Sequence, residues 1–123
     1  MKKSTFRLLI LTSVLVLSVT TAFAYGTTTF TENDIKYTCT DACSFGWQYI
    51  GVEPYGYLYE NVYASCDISP TIYHYSTADI RKSRTSSVYA TSGRVWKTAQ
   101  TTNAHCQSSI PDSSYNGYGW WGH

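Results

Sequence analysis

Polar and apolar positions alternate most clearly in YLYENVYAS, residues 57–65. Extended backbone sends successive side chains to opposite faces, so Tyr57, Tyr59, Asn61 and Tyr63 share one side. Leu58, Glu60, Val62 and Ala64 share the other. TIYHYS, residues 71–76, repeats the pattern with Tyr73 and Tyr75 on one face and Ile72 and His74 on the other. WQYIGV (47–52) predicts a short strand before them, and Glu53-Pro54-Tyr55-Gly56 a turn in which proline presets φ. Residues 86–91 read as a strand, Ser92-Gly93 as a tight turn, and residues 94–100 as the hairpin partner. Breaks follow at 67–70 and 111–113. Asn116-Gly117 signals a turn before the closing YGWWGH, where extended backbone would send Trp120 and Trp121 to opposite sides. Short strands with turn signals roughly every eight to twelve residues predict an all-β fold, a small antiparallel β-sandwich over residues 46–123.

Ahead of this domain the pattern differs. Lys2, Lys3 and Arg7 precede an apolar run, residues 8–19, and Ala22-Phe23-Ala24 is a small-x-small cleavage site. Residues 1–24 therefore read as a cleaved signal peptide, its apolar run too short for a membrane span of roughly 20 residues. Export places the protein outside the cell. Residues 25–45 are expected to be an N-terminal arm or loop: YGTTTFT is polar, and in ENDIKYTCTDACSFG helix and irregular loop stay open, with Asp34 capping a short turn.

Composition sharpens the β assignment. All 12 Tyr and all 4 Trp follow residue 24, and Leu and Met are scarce. Aromatic and β-branched side chains suit pleated surfaces, so the core is expected to use rings in place of leucines. Loss of Lys2, Lys3 and Arg7 leaves 99 residues with six basic and eight acidic side chains, a formal charge of −2. That balance argues against nucleic-acid binding and against bulk-charge membrane lysis. Four cysteines, Cys39, Cys43, Cys66 and Cys106, in an exported chain read as two disulfides. Three connectivities are open. Pairing Cys39 with Cys43 closes a very short loop, which favours each reaching out to Cys66 and Cys106. A zinc site on Cys39, Cys43 and a histidine is the alternative, with spacing that fits no standard ligand pattern.

Catalytic constellations are missing from the sequence: no GxSxG, HExxH, phosphate loop or dinucleotide fingerprint occurs. His105 lies beside Cys106, but a disulfide-bonded cysteine is no nucleophile. Glu53 with Glu60, or Glu60 with Asp67, would serve as a glycosidase pair. Any chain with eight acids offers such pairs, so they read as surface or turn acids. His74, between two tyrosines, reads first as a packed, hydrogen-bonded histidine. The basic run Arg81-Lys82-Ser83-Arg84 is a solvated loop or a collector of phosphate and carboxylate groups, which arginine grips bidentately. No enzyme and no cofactor are expected.

From Gly46-Trp47 through GYLYENVYAS, YHYSTADIRKSRTSSVYA and RVWKTA to YNGYGWW, the chain resembles the lactococcin 972-like family of secreted bacteriocins. The resemblance covers about two-thirds of the mature chain and rests on loose patterns of aromatic and small polar residues. The four cysteines and ENDIKYTCTDACS have no counterpart in it. It implies an exported β-sandwich that attacks the envelope of related Gram-positive bacteria by binding, without cleavage, and a producer that carries an immunity or transport protein. The expected contact surface is Tyr73, His74, Arg81, Lys82, Arg84, Trp120 and Trp121. A wall- or glycan-binding module without toxicity is the alternative.

Overall fold

The computed structural model describes residues 20–52 and 54–123. The expected signal peptide lies mostly outside them. Among the described residues eight strands form two antiparallel sheets: β1 (Thr20–Glu32), β2 (Ile35–Ile50), β3 (Tyr57–Ser69), β4 (Tyr73–Arg81), β5 (Ala90–Thr91), β6 (Val95–Thr98), β7 (Thr101–Ile110) and β8 (Asn116–Gly122). One sheet runs β1-β2-β3-β7. In the other, β4 is central, with β8 on one side and β5 and β6 on the other. The sheets face each other as a sandwich, β4 lying over β3 and β7 and β8 over β2 and β3.

Residues 25–45 form no loose arm. They are the hairpin β1–β2, closed by Asn33 and Asp34 at φ 52° and 63°. Positive φ at both central residues is what a type I′ hairpin turn requires, and Asn and Asp tolerate it. In β2 the odd positions Tyr37, Cys39 and Cys43 are buried, alternating with polar neighbours. Asp41 interrupts that series. Its partner across the ladder is Gly26, where a Cβ would sit 2.8 Å from Asp41 Oδ1, so the missing side chain makes room for the carboxylate.

The expected hairpin at Ser92-Gly93 is absent. β5 and β6 lie end to end along the same edge of β4, with Ile80 opposite Ala90 and Ser76 opposite Val95. Ser92, Gly93 and Arg94 therefore oppose only Thr77 and Ala78. This is a β-bulge, with Gly93 at φ 68° supplying the left-handed residue such an insertion takes. Asn116-Gly117 likewise starts β8 and makes no turn. Gly117 faces inward, and a Cβ there would overlap Phe45 and Val62.

The centre of the core holds few rings. Val62, Ala64, Ala78, Ile80, Ala104, Cys106 and Ile110 are buried there with Cys43, while Phe45, Trp47 and Tyr115 pack at its rim. Alanines and inward glycines bring the sheets too close for rings between them. A second cluster joins Tyr37, Cys39, Cys66 and Ile68 to Phe30 and Trp121. Ser76 and Thr102 bridge the sheets through a buried hydroxyl pair at 2.6 Å.

Cys39 and Cys66 form a disulfide, with Cα atoms 6.3 Å apart. The expected second disulfide does not form: Cys43 and Cys106 are buried free thiols. Cys43 pairs with Ala64 and Cys106 with Val62, so strand β3 runs between them. Two strand spacings are about 10 Å, beyond the roughly 7 Å a disulfide spans. Burial pushes the Cys43 thiol up to about 11, against the pull of Arg84 and with a further push from Asp41. It is an inert core side chain.

Candidate functional site

On the outer side of the β4 sheet, arginines and aromatic rings converge. His74, Ser76, Ala78 and Ile80 point from β4 into the sandwich. The intervening Tyr73, Tyr75, Thr77, Asp79 and Arg81 point outward. The ladder to β8 sets Trp120 beside Thr77 and Tyr118 beside Asp79, and the ladder to β6 sets Trp96 beside Tyr75. Tyr73 stacks on Trp96 at 4.7 Å between ring centroids. The bulge carries Arg94 over the Tyr75 ring at 4.6 Å. The loop after β4 turns back, so that Arg84 lies 4.2 Å above the Trp120 ring and Arg81 5.3 Å from it.

Hydrogen bonds hold Arg81 in place. Arg81 donates to Asp79 Oδ2 from Nη2 at 2.8 Å and from Nε at 3.1 Å. Its Nη1 donates to the Ser86 carbonyl at 2.9 Å, which fixes the loop that carries Arg84. Between these groups lies a groove of about 380 Å³, lined by Tyr75, Asp79, Arg81, Val88, Arg94 and Trp120 among others. Three guanidinium groups face one carboxylate, so this face is locally positive. Two atoms of the groove lining, Asp79 Oδ1 and Trp120 Nε1, are buried without a hydrogen-bond partner. Buried polar atoms are nearly always satisfied, so an acceptor and a donor stand unused here.

Of the residues the sequence singled out, Tyr73, Arg81, Arg84 and Trp120 meet on this face. His74 does not reach it. It is fully buried, Nδ1 lying 2.8 Å from the Ile72 carbonyl and Nε2 3.2 Å from that of Cys66. Trp121 points inward opposite Ser76 and stacks near Phe30, with centroids 6.1 Å apart. Lys82 lies beyond the groove, 5.4 Å from the Tyr115 ring. Tyr75, Asp79, Arg94 and Trp96 complete the face and were missed. Period two along β4 places Tyr75 and Asp79 with Tyr73, but only the register with β6 brings in Trp96 and Arg94.

The sequence-level enzyme candidates come apart. Glu60 points into the core and is fully buried, whereas Asp67 lies exposed on the opposite face of the same strand, accepting a bond from Thr101 at 2.6 Å. Glu53 lies outside the described residues. Neither oxygen of Glu60 has a partner, and burial raises its carboxyl from 4.5 to about 7. Cys106 is free but faces inward, while neighbouring His105 faces outward, so the two make no nucleophile–base pair. Among the described residues no group of His, Cys, Asp or Glu clusters as a metal site, and no helix is long and apolar enough to cross a membrane.

No protein-family model, curated protein or solved structure matches the chain.

Proposed function

We propose that the protein is a secreted, non-enzymatic antibacterial protein that binds an anionic component of the envelope of related Gram-positive bacteria through the outer face of the β4 sheet. The observation that carries this reading is the set of three guanidinium groups held against the Trp120 and Tyr75 rings on one face: Arg81 and Arg94 line the groove, and Arg84 covers the Trp120 ring at its wall. Stacking orders Arg84 and Arg94 without engaging their N–H edges, so little side-chain entropy remains to be lost when they grip a phosphate or carboxylate, while Arg81, bonded to Asp79 and the Ser86 carbonyl, holds the loop in place. The uncovered ring surface suits the C–H faces of attached sugars. The resemblance to lactococcin 972-like bacteriocins supplies the antibacterial part of the proposal.

Purified mature protein, applied to related Gram-positive strains and to their isolated envelopes, tests it. Growth inhibition and envelope binding that both weaken in Arg84→Ala support the reading; absence of both with the unaltered protein sinks it. The two unpartnered atoms, Asp79 Oδ1 and Trp120 Nε1, favour a second reading, because a sugar hydroxyl can donate to the one kind of atom and accept from the other. In that case the protein is a wall- or glycan-binding module, and envelope binding leaves viability unchanged.

A further inference from the structure

The opposite broad face of the sandwich differs in chemistry. Outward side chains of β2 from Ala42 to Ile50, of β3 from Tyr57 to Ser65 and of β7 from Asn103 to Ser109 include no Asp, Glu, Lys or Arg. Amides, hydroxyls and tyrosine rings replace them. In the middle, the ladder lines up Ser44, Tyr63 and His105 in one row and Gly46, Asn61 and Gln107 in the next. Tyr63 is 53% exposed and stacks on His105, with ring centroids 4.3 Å apart and planes within 8°. Its other side looks over Ser44 and Gly46, which are too small to cover it. A depression of about 270 Å³ occupies that space, with Gln48 and Asn61 on its border. His105 Nε2 donates to Asn61 Oδ1 at 3.2 Å. That bond orients the Asn61 amide and leaves its Nδ2 hydrogens free.

We propose that this face is a second binding site, a platform for an uncharged polysaccharide chain. One pyranose ring lies against the free face of Tyr63 above Ser44 and Gly46, and the amides of Gln48 and Asn61 bond its hydroxyls. The arrangement supplies what a neutral sugar ring needs: a flat π-surface for its C–H face, with donors and acceptors beside it. Without a fixed positive charge the face offers nothing to an anion. With amides and hydroxyls throughout its centre, it lacks the dry apolar core of a protein interface. The site shares no residue with the arginine groove and stands or falls independently of it.

The test titrates the full mature chain with laminarihexaose, chitohexaose and mannohexaose by calorimetry. Binding of at least one is expected, unchanged between about 0.05 M and about 0.5 M NaCl because no ion pair is involved. Tyr63→Ala should weaken it about tenfold, the order of one lost aromatic contact. Gly46→Val should weaken it by filling the depression. Trp120→Ala and Arg84→Ala should leave it intact. Gln48→Ala, a partly exposed outward position, serves where Gly46→Val does not fold, and is expected to cost several-fold. Binding of none of the three sugars overturns the proposal. So does binding that survives Tyr63→Ala, or that disappears in Trp120→Ala.

Discussion

Arg84 sits in the loop after β4, yet its guanidinium lies 4.2 Å above the ring of Trp120 in the last strand. The β4–β8 ladder turns Trp120 outward beside Thr77, and the bond from Arg81 to the Ser86 carbonyl folds the loop over it. Arg84→Ala removes an exposed side chain, so stability should change by no more than about 0.5 kcal/mol. Envelope binding should fall about tenfold at low salt, with a shallower salt dependence than the unaltered protein. Cosedimentation with isolated envelopes over a salt series measures both.

Trp120 and Trp121 are adjacent but face opposite sides of β8. Trp121 packs on the cluster that contains the disulfide, so Trp121→Ala should cost about 3 kcal/mol or more and lower the melting temperature. Trp120→Ala should leave more of the stability and lose more of the envelope binding. Thermal melts and binding assays on both variants check the division; equal loss of stability in the two would contradict it.

Glu60 makes stability depend on pH. Its carboxyl is raised to about 7 by burial, so the folded state holds the proton more tightly than the unfolded chain. The contribution of Glu60 to stability is therefore fully present below about pH 4.5 and is lost as pH rises through about 7. The full loss is about 3 kcal/mol, because holding the proton more tightly is worth about 1.4 kcal/mol for every tenfold in affinity. Glu60→Gln should flatten the profile across that window. Urea midpoints at about pH 5 and about pH 8 for both proteins read it directly, and a wild-type midpoint that rises with pH there would contradict the assignment.

The cysteines give a chemical prediction. Alkylation without reductant should label two thiols, Cys43 and Cys106, and only after unfolding, because both are buried. Tandem mass spectrometry should find Cys39 linked to Cys66. Replacing Cys39 by Ser opens a crosslink spanning 27 residues and should cost about 3 kcal/mol. A Cys43–Cys106 crosslink in the folded protein would contradict the strand order.

Two glycines should respond differently to alanine. At Gly117 the new Cβ meets Phe45 and Val62 across the sheets, so Gly117→Ala should cost about 2 to 3 kcal/mol. At Gly93 nothing lies within reach, and only the positive φ resists, for about 1 kcal/mol. Denaturant midpoints rank the pair.

Alternation along the chain was enough to assign the strands around Tyr57–Ser69 and Tyr73–Arg81, and to split Trp120 from Trp121, because side-chain direction is a local property of extended backbone. The same alternation was present at Tyr37, Cys39, Cys43, Phe45 and Trp47. Asp41 hid it by placing a carboxylate in the apolar series, and only the facing Gly26 explains how it fits. Register was not legible. Which cysteines meet, whether Ser92-Gly93 turns a hairpin or bulges a straight edge, and which arginine covers which ring all depend on strands distant in sequence lying side by side. Backbone ladders are nearly indifferent to the residues they join, so these choices are settled by the packing of both sheets at once. The residues of the arginine groove are written in the sequence, and their meeting is a product of the fold.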